Sequence, residues 1–363
     1  MEKRKKILVI CPHPENIAPG QRLKYEQYFD DWRNNGFDIK VSPFFSNRMQ
    51  RILYGKSNTL EKVYWVLKAY LKRFIELSGV HRYDMLYIFL WVTPFGPPFM
   101  ERLFVKRNPN VVYDIDDAIF MKPQSMVNRS TDFIRGRSKP FFLMKKAKHV
   151  ITCTPFLTEV ASTYNDNVTD ISSTINTHAY QPVNNYQNDH KLVIGWSGSH
   201  STSQFLCLLK DMLLELHKRR PFKLLVMGDP DFYIEGLDME AIAWTAEIEV
   251  PTLQKFDIGL YPLPLNSDWV LGKSGLKALQ YMAIGVPVVA TAIGANYRIM
   301  ENGKTGFLVK TQNDWVEKLE LLMDNPELRK ILGQTGRNNV VEHYSLDANA
   351  PVYLDILRSV CGI

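Results

Sequence analysis

The sequence lacks a long apolar run. Its longest apolar stretch, Leu86 to Met100, is broken by Pro94, Pro97 and Pro98 and falls short of the roughly 20 residues a spanning helix needs. The expectation is therefore a chain without a transmembrane anchor. Cysteine is scarce: four residues, at 11, 153, 207 and 361, have neither metal-ligand spacing nor the density of a secreted disulfide scaffold. Free thiols in a reducing, cytoplasmic setting are the simple reading. Met1 to Lys6 is basic but runs directly into Ile7-Leu8-Val9-Ile10, too short for a signal-peptide core and without a small-residue cleavage site. It reads as a first buried strand. Acidic residues are the minority in the first half, where residues 1–180 hold 27 Lys/Arg against 17 Asp/Glu; the remainder holds 17 against 21. An acidic acceptor, an anionic membrane face or a nucleic acid could match that basic half, and so could plain solvent around surplus lysine.

With 363 residues, 45% of them hydrophobic, the chain can bury two cores. Short β-branched runs alternate with longer helical patterns, the mark of parallel βαβ units covered on both sheet faces. The runs are 6–11, 38–42, 85–91, 111–115 and 149–153 in the first half, then 191–197, 223–228, 257–261, 286–290 and 306–309. Each half can close its own doubly wound, Rossmann-like α/β sheet. Ser172 to Asp189 is polar, contains Pro182 and shows little periodicity, so it reads as the linker. Two such sheets facing each other would form a cleft lined by strand carboxyl ends, where open α/β folds hold ligands.

Residues 59–77 carry apolar side chains at 60, 63, 64, 67, 70, 71, 74 and 77, a helical stripe with Lys62, Lys68, Lys72 and Arg73 largely off it and Trp65 apart. Such a stripe is most often the core-facing side of a helix. A basic, aromatic-rich amphipathic helix can also lie on an anionic bilayer, and both readings stand at this point.

The most specific stretch is 270–294. Gly272-Lys-Ser-Gly275 forms a small loop opening a helix that runs to about Ile284; Gly285 stops it and Pro287 begins a buried strand. A helix start preceded by glycine exposes unpaired N–H groups and a positive dipole end, an arrangement that binds phosphate. Ser274, Gly275 and Leu276 lie at that helix start, and Lys273 and Lys277 add formal charge beside it. A nucleoside diphosphate fits there.

From Asp257-Ile-Gly-Leu-Tyr-Pro-Leu, through Gly272-Lys-Ser-Gly-Leu-Lys-Ala-Leu-Gln-Tyr-Met-Ala and Gly285-Val-Pro-Val-Val-Ala-Thr, to Asn302-Gly-Lys-Thr-Gly-Phe-Leu-Val, the chain resembles the donor-binding segment of the group-1, family 4 glycosyltransferases. Ile194-Gly-Trp-Ser-Gly198-Ser199 is similar to the first donor-domain strand and loop, and His343-Tyr-Ser-Leu to the point where the last helix crosses back. The resemblance implies a GT-B fold. Its parts would be an acceptor-binding domain over 1–180, a donor-binding domain over 181–342 and a C-terminal helix over 343–363 packing on the first. It also implies no required metal and transfer with retention of anomeric configuration.

This sequence departs from the family's usual pattern. Most members carry two glutamates flanking seven residues, one for the donor sugar and one for the ribose; the matching positions here are Gly272 and Gln280. Gln280 can still hydrogen-bond a ribose hydroxyl, whereas Gly272 has no side chain to offer, and a variant site is implied. The family's Arg and Lys after the first donor strand are also missing, since 196–203 offers Ser197, Ser199, His200, Ser201, Thr202 and Ser203 but no arginine or lysine. Lys273 and Lys277 would have to compensate.

Val111-Val-Tyr-Asp-Ile-Asp-Asp117 ends a strand with three carboxylates. An Asp-x-Asp pair invites a divalent metal, yet the phosphate site lies in the other half. By resemblance Asp116 is a sugar or acceptor contact with Asp117 supporting it, while Asp114 and Asp117 are also natural caps of the next turn. Pro12 to Arg22 follows the first strand: Gly20 allows close backbone approach, Arg22 could grip a phosphate bidentately, and His13 is a candidate acceptor contact or a plain loop histidine. This loop falls short of the G-x-G-x-x-G dinucleotide fingerprint, against an ordinary NAD enzyme. Trp244 could stack on the nucleotide base or fill the core, and Met227-Gly228-Asp229 offers the other wall.

The expected activity is transfer of a sugar from a UDP-, GDP- or dTDP-sugar, with no further cofactor, to a saccharide or lipid-linked acceptor. The setting would be cell-surface glycan assembly at the cytoplasmic side of a membrane, with no nucleic acid involved. Positive charge develops on the sugar and negative charge on the departing diphosphate, so the protein's main contribution would be electrostatic, from Lys273, Lys277 and the helix start. Two alternatives stay open: a nucleotide-sugar epimerase of the same fold, and a non-catalytic binding subunit suggested by Gly272.

Overall fold

Two six-stranded sheets, every strand parallel to its neighbours, organise the chain. The computed structural model describes residues 4–54, 59–121, 136–182, 186 and 191–363. Contacts divide it into one unit of Met1–Ser173 with Asn349–Ile363 and a second of Thr174–Ala348.

In the first unit β1 (Lys5–Cys11), β2 (Phe37–Pro43), β3 (Met85–Phe89), β4 (Val111–Asp114), β5 (His149–Thr152) and β6 (Val168–Asp170) run in the order β2-β1-β3-β4-β5-β6. The helices are α1 (Pro19–Arg22), α2 (Phe29–Asn34), α3 (Asn47–Tyr54), α4 (Thr59–Leu77), α5 (Phe99–Arg107), α6 (Lys139–Lys146) and α7 (Pro155–Ser162). From Ile7 onward β1 is an unbroken apolar run, as is all of β3, because both sheet faces are covered. The order reverses between β1 and β3, and that switch point is where doubly wound sheets bind ligands.

In the second unit β7 (Val193–Ser197), β8 (Lys223–Met227), β9 (Met239–Ile242), β10 (Ile258–Tyr261), β11 (Val288–Thr291) and β12 (Phe307–Val309) run β12-β11-β10-β7-β8-β9, the Rossmann order. Its helices are α8 (His200–Ser203), α9 (Lys210–Arg219), α10 (Ala246–Leu253), α11 (Leu276–Ala283), α12 (Asn296–Ile299), α13 (Gln312–Asp324) and α14 (Pro326–Asn339). The last helix, α15 (Leu346–Cys361), returns to the first unit, where Tyr353 packs on Tyr28 and Trp32 at centroid separations of 4.6 and 5.7 Å.

Two strands escape the apolar pattern. Both β6 and β9 are edge strands of half-buried, partly polar residues, and neither presents a periodic apolar signal. The described part of the stretch expected as linker is packed: Thr174 and Thr177 are buried, Ile175 bridges to Ser345, and Arg337 donates to Thr177 O at 2.8 Å.

Helix α4 corrects the commoner reading of its stripe. Val63, Tyr64, Leu67, Leu71 and Phe74 face outward, and the buried positions are Ala69, Arg73 and Leu77. Arg73 is sealed in by donating Nε to Val92 O at 3.0 Å and Nη1 to Ser42 Oγ at 2.6 Å and Glu76 Oε2 at 2.7 Å. Periodicity gives a stripe but not its direction, and here the arginine's hydrogen-bond partners set the direction.

Candidate functional site

The second unit's switch point lies between β7 and β10, so the loops after those strands flank it. After β7 comes Gly198; after β10 come Gly272 to Lys277 and helix α11. The glycines are there for close approach. A Cβ on Gly228, whose φ is +106°, would lie 1.8 Å from the carbonyl oxygen of Gly198, and one on Gly198 would lie 2.8 Å from Lys277 Cε and 2.4 Å from the Trp196 ring. Gly198, Gly228 and Lys277 therefore converge at the carboxyl ends of β7 and β8. Gly275 caps α11 at φ +78°, where an added Cβ would strike Ile299. Gly272 is buried in a short 3-10 turn, Asp268–Gly272.

Lys277 Nζ sits 5.6 Å from the centroids of both Trp196 and Tyr261, and Lys273 Nζ lies 3.7 Å above Trp269. Burial, then repulsion from Lys273, brings the Lys277 ammonium down from 10.5 to about 8. A half-buried ammonium with no anion beside it among the described residues, and pushed toward neutrality, is poised to gain from an arriving one. Ser274 and Leu276 are half-buried at the helix start, and Ser199 is exposed, forming a capping box with Thr202.

A pairing that the sequence does not reveal adjoins this loop. His200 Nδ1 lies 3.1 Å from Asp229 Oδ1, and that hydrogen bond raises the exposed imidazole's pKa. Asp229 is buried and also accepts from Ser203 Oγ. The loop that lacks Arg and Lys thus carries a histidine biased toward its cation.

Trp244 and Gln280 meet through a residue the sequence did not single out. Glu249, buried, accepts from Trp244 Nε1 at 2.9 Å and Gln280 Nε2 at 3.1 Å on Oε1, and from Tyr180 Oη at 2.8 Å on Oε2. Gln280 Nε2 also donates to Tyr180 Oη at 2.9 Å. Its amide donors are committed, so a ribose contact by Gln280 would fall to its carbonyl oxygen. Trp244 packs partly against the core beside this cluster.

In the first unit the structure brings Gly20 and Asp116 together: a Cβ on Gly20 would lie 2.9 Å from Asp116 Oδ2. Asp117 Oδ1 accepts from Ala118 N at 2.8 Å and so turns the chain after β4. Asp114 is not a turn cap. It is fully buried, accepts from Tyr87 Oη, and pairs with Lys24 at 3.2 Å, while Lys24 also donates to Thr152 O and Ile171 O at 3.0 and 2.8 Å. That commitment takes Asp114 out of any metal pair with Asp116.

The loop carrying His13, Gly20 and Arg22 is held from beneath. Gln21 accepts from His13 N at 2.8 Å and donates to His13 O at 3.0 Å and Glu26 Oε1 at 2.8 Å; Glu26 Oε2 accepts from Asn16 N at 2.9 Å. Burial raises the Glu26 pKa and lowers that of His13. Arg22 is half-buried at the end of α1. Gln21, Lys24, Tyr25 and Tyr28, in the segment that follows the loop, are all buried.

A Rossmann-ordered sheet whose switch-point loops bring apposed glycines and two lysines to a helix start has a geometry suited to phosphate-bearing nucleotides. Residues 191–325 match the family described as Glycosyl transferases group 1, and the chain carries a group-1 glycosyl transferase domain there. Over 115 residues the chain is 35% identical to a trehalose synthase of Pyrococcus horikoshii, covering 29% of this chain and 28% of that protein. Over 92 residues it is 35% identical to a D-inositol 3-phosphate glycosyltransferase of Paenarthrobacter aurescens, covering 24% and 22%. These matches span about a quarter of the relatives' length. Among solved structures, a sucrose-phosphate synthase from Thermosynechococcus elongatus superposes with TM-score 0.70 at 16% identity over 99% of this chain and 100% of that one. Anabaena HepE in complex with UDP and glucose does so with TM-score 0.67 at 13% identity over 98% and 100%. The fold is GT-B, built from two Rossmann-like domains.

Proposed function

We propose that the chain is a retaining glycosyltransferase that takes its sugar from a nucleoside-diphosphate sugar bound by the second unit. The observation that carries this reading is the convergence of Gly198, Gly228 and Lys277 at the switch point, beside the start of α11. The pyrophosphate would meet the unpaired N–H groups of that helix start, with Lys273 and Lys277 neutralising charge as the sugar–phosphate bond breaks. Anomeric retention follows by a front-face path in which the departing phosphate oxygen helps deprotonate the acceptor hydroxyl. Asp116, held against Gly20 in the first unit, is assigned to the sugar or acceptor, with His13 and Asp117 on the acceptor side and Arg22 and Gly20 on the donor phosphates. Trp244, Gly228 and Gln280 would surround the nucleoside.

HepE was solved with UDP and with UDP-glucose, and a uridine nucleotide is the first donor to test. The acceptor is assigned as a saccharide or lipid-linked glycan intermediate, reached at the cytoplasmic face of an anionic membrane. A thermal-shift screen across UDP-, GDP- and dTDP-sugars identifies the donor, because a ligand at about 100 times its dissociation constant raises stability by about 2.7 kcal/mol. Lys273→Ala and Lys277→Ala each lower donor affinity and turnover; unchanged values in both would refute the site. Tight donor binding without turnover on any acceptor would make the chain a binding subunit, and donor conversion without acceptor would make it an epimerase.

A further inference from the structure

We infer that the outward face of α4 and the adjoining 95–99 loop form a docking surface for an anionic lipid bilayer, an inference independent of which sugar is transferred. The helix is inverted relative to ordinary amphipathic packing. Its inner face buries Arg73, while Val63, Tyr64, Leu67, Leu71, Phe74 and Ile75 stand 50 to 66% exposed. Phe95 and Phe99 continue the patch at 46 and 55%, with the Phe74 and Phe99 ring centroids 6.4 Å apart. Between them Tyr70, Phe74, Phe95, Pro97, Phe99 and Met100 line a groove of about 310 Å³. Tyr70 Oη fixes the loop by donating to Phe95 O at 2.9 Å and accepting from Phe95 N at 3.1 Å. Soluble surfaces rarely leave so many large apolar groups contiguous unless something covers them.

The charge around the patch selects the partner. Lys68 and Lys72 on α4 are exposed, and so are Arg102 and Lys106 on α5, which lie three and seven residues beyond Phe99. Arg48 and Lys68 flank Trp65, at 5.1 and 4.8 Å from its ring. The acids of these two helices are otherwise engaged: Glu101 is buried beside Lys139, and Glu76 pairs with Arg73 and Lys72, leaving Glu61 at the far end of α4. An apolar strip rimmed by long cationic side chains matches acyl chains below anionic headgroups. At 19 residues, the strip extends about 28 Å, enough to lie in the interface plane.

The test uses the full chain in co-sedimentation with vesicles of phosphatidylcholine alone and of phosphatidylcholine with 30 mole per cent phosphatidylglycerol. Wild type should bind the anionic vesicles at least roughly tenfold tighter, falling by roughly fivefold for each of Lys68, Arg102 and Lys106 changed to Gln. Combining Leu67→Ser, Leu71→Ser and Ile75→Ser should cost roughly a hundredfold or more in vesicle affinity, with the melting temperature unchanged because these side chains are outside the core. No binding to either vesicle, or equal binding to both, would overturn the proposal. So would a dimer in sedimentation equilibrium that the triple serine variant abolishes, since the face would then join two copies of the chain.

Discussion

Lys277 makes donor binding depend on pH in a calculable way. Burial strips water from its ammonium and Lys273 repels it, so the free protein holds that proton at about 8 instead of 10.5. A bound pyrophosphate supplies the missing counter-charge and returns the pKa toward its ordinary range, so binding takes up a proton. At pH 7 about nine in ten free molecules already carry the charge; at pH 9 about one in ten does. Affinity therefore falls about tenfold over that interval, about 1.4 kcal/mol. The stability sign runs the other way. A folded-state pKa below the unfolded value means the unfolded chain binds the proton more tightly, so Lys277 opposes folding below about pH 8. That opposition fades as pH rises toward 10.5. Lys277→Met should accordingly stabilise the ligand-free protein at pH 7, on the order of 1–3 kcal/mol, while weakening the donor. Calorimetric titration at pH 7 and 9, in buffers of different ionisation enthalpy, reads affinity and proton uptake together. In Lys277→Arg, whose guanidinium stays charged, the profile should flatten. A wild-type dissociation constant equal at the two pH values, or a slope that survives Lys277→Met, refutes the reasoning.

Removing Lys24 strands Asp114 in the core: Lys24→Ala should cost about 3–5 kcal/mol in urea unfolding, and Lys24→Met combined with Asp114→Val should recover most of it. Gln280→Glu would set a second carboxylate where Nε2 now donates to Glu249 at 3.1 Å. A shared proton would then raise the pair's folded pKa, so the penalty, about 2–4 kcal/mol at pH 7, grows as pH rises above the unfolded carboxylate value of about 4.3 and is smaller at pH 5. Equal losses at both pH values would exclude that repulsion. Gly228→Ala forces a methyl onto the Gly198 carbonyl and should cost more than about 2 kcal/mol along with donor affinity. Gly303→Ala, also at positive φ but with nothing within 4 Å, should cost less in the melting temperature and leave the donor bound.

How far the sequence could be read depended on what kind of information each feature carries. Parallel strands buried on both faces declare themselves as apolar runs, so β1, β3, β7, β10 and β11 were legible, whereas the half-buried edges β6 and β9 were not. The α11 loop was legible because glycine, lysine and helix start sit within a few residues of one another. The Glu249 cluster was not, since its members at 180, 244, 249 and 280 meet only in the folded chain. That cluster bears on why a glutamine stands at 280. Glu249 is already supplied with donors by Tyr180, Trp244 and Gln280, and a carboxylate at 280 would remove a donor and add a like charge in a buried site. The negative charge expected at 280 has its local equivalent on Glu249, and the amide at 280 is the partner that lets Glu249 stay buried. On this reasoning residues 249 and 280 vary as a pair: Gln280→Glu alone should fail where Gln280→Glu with Glu249→Gln, which swaps carboxylate and amide, restores both stability and donor binding. A double variant no better than the single one would show that the two positions act separately.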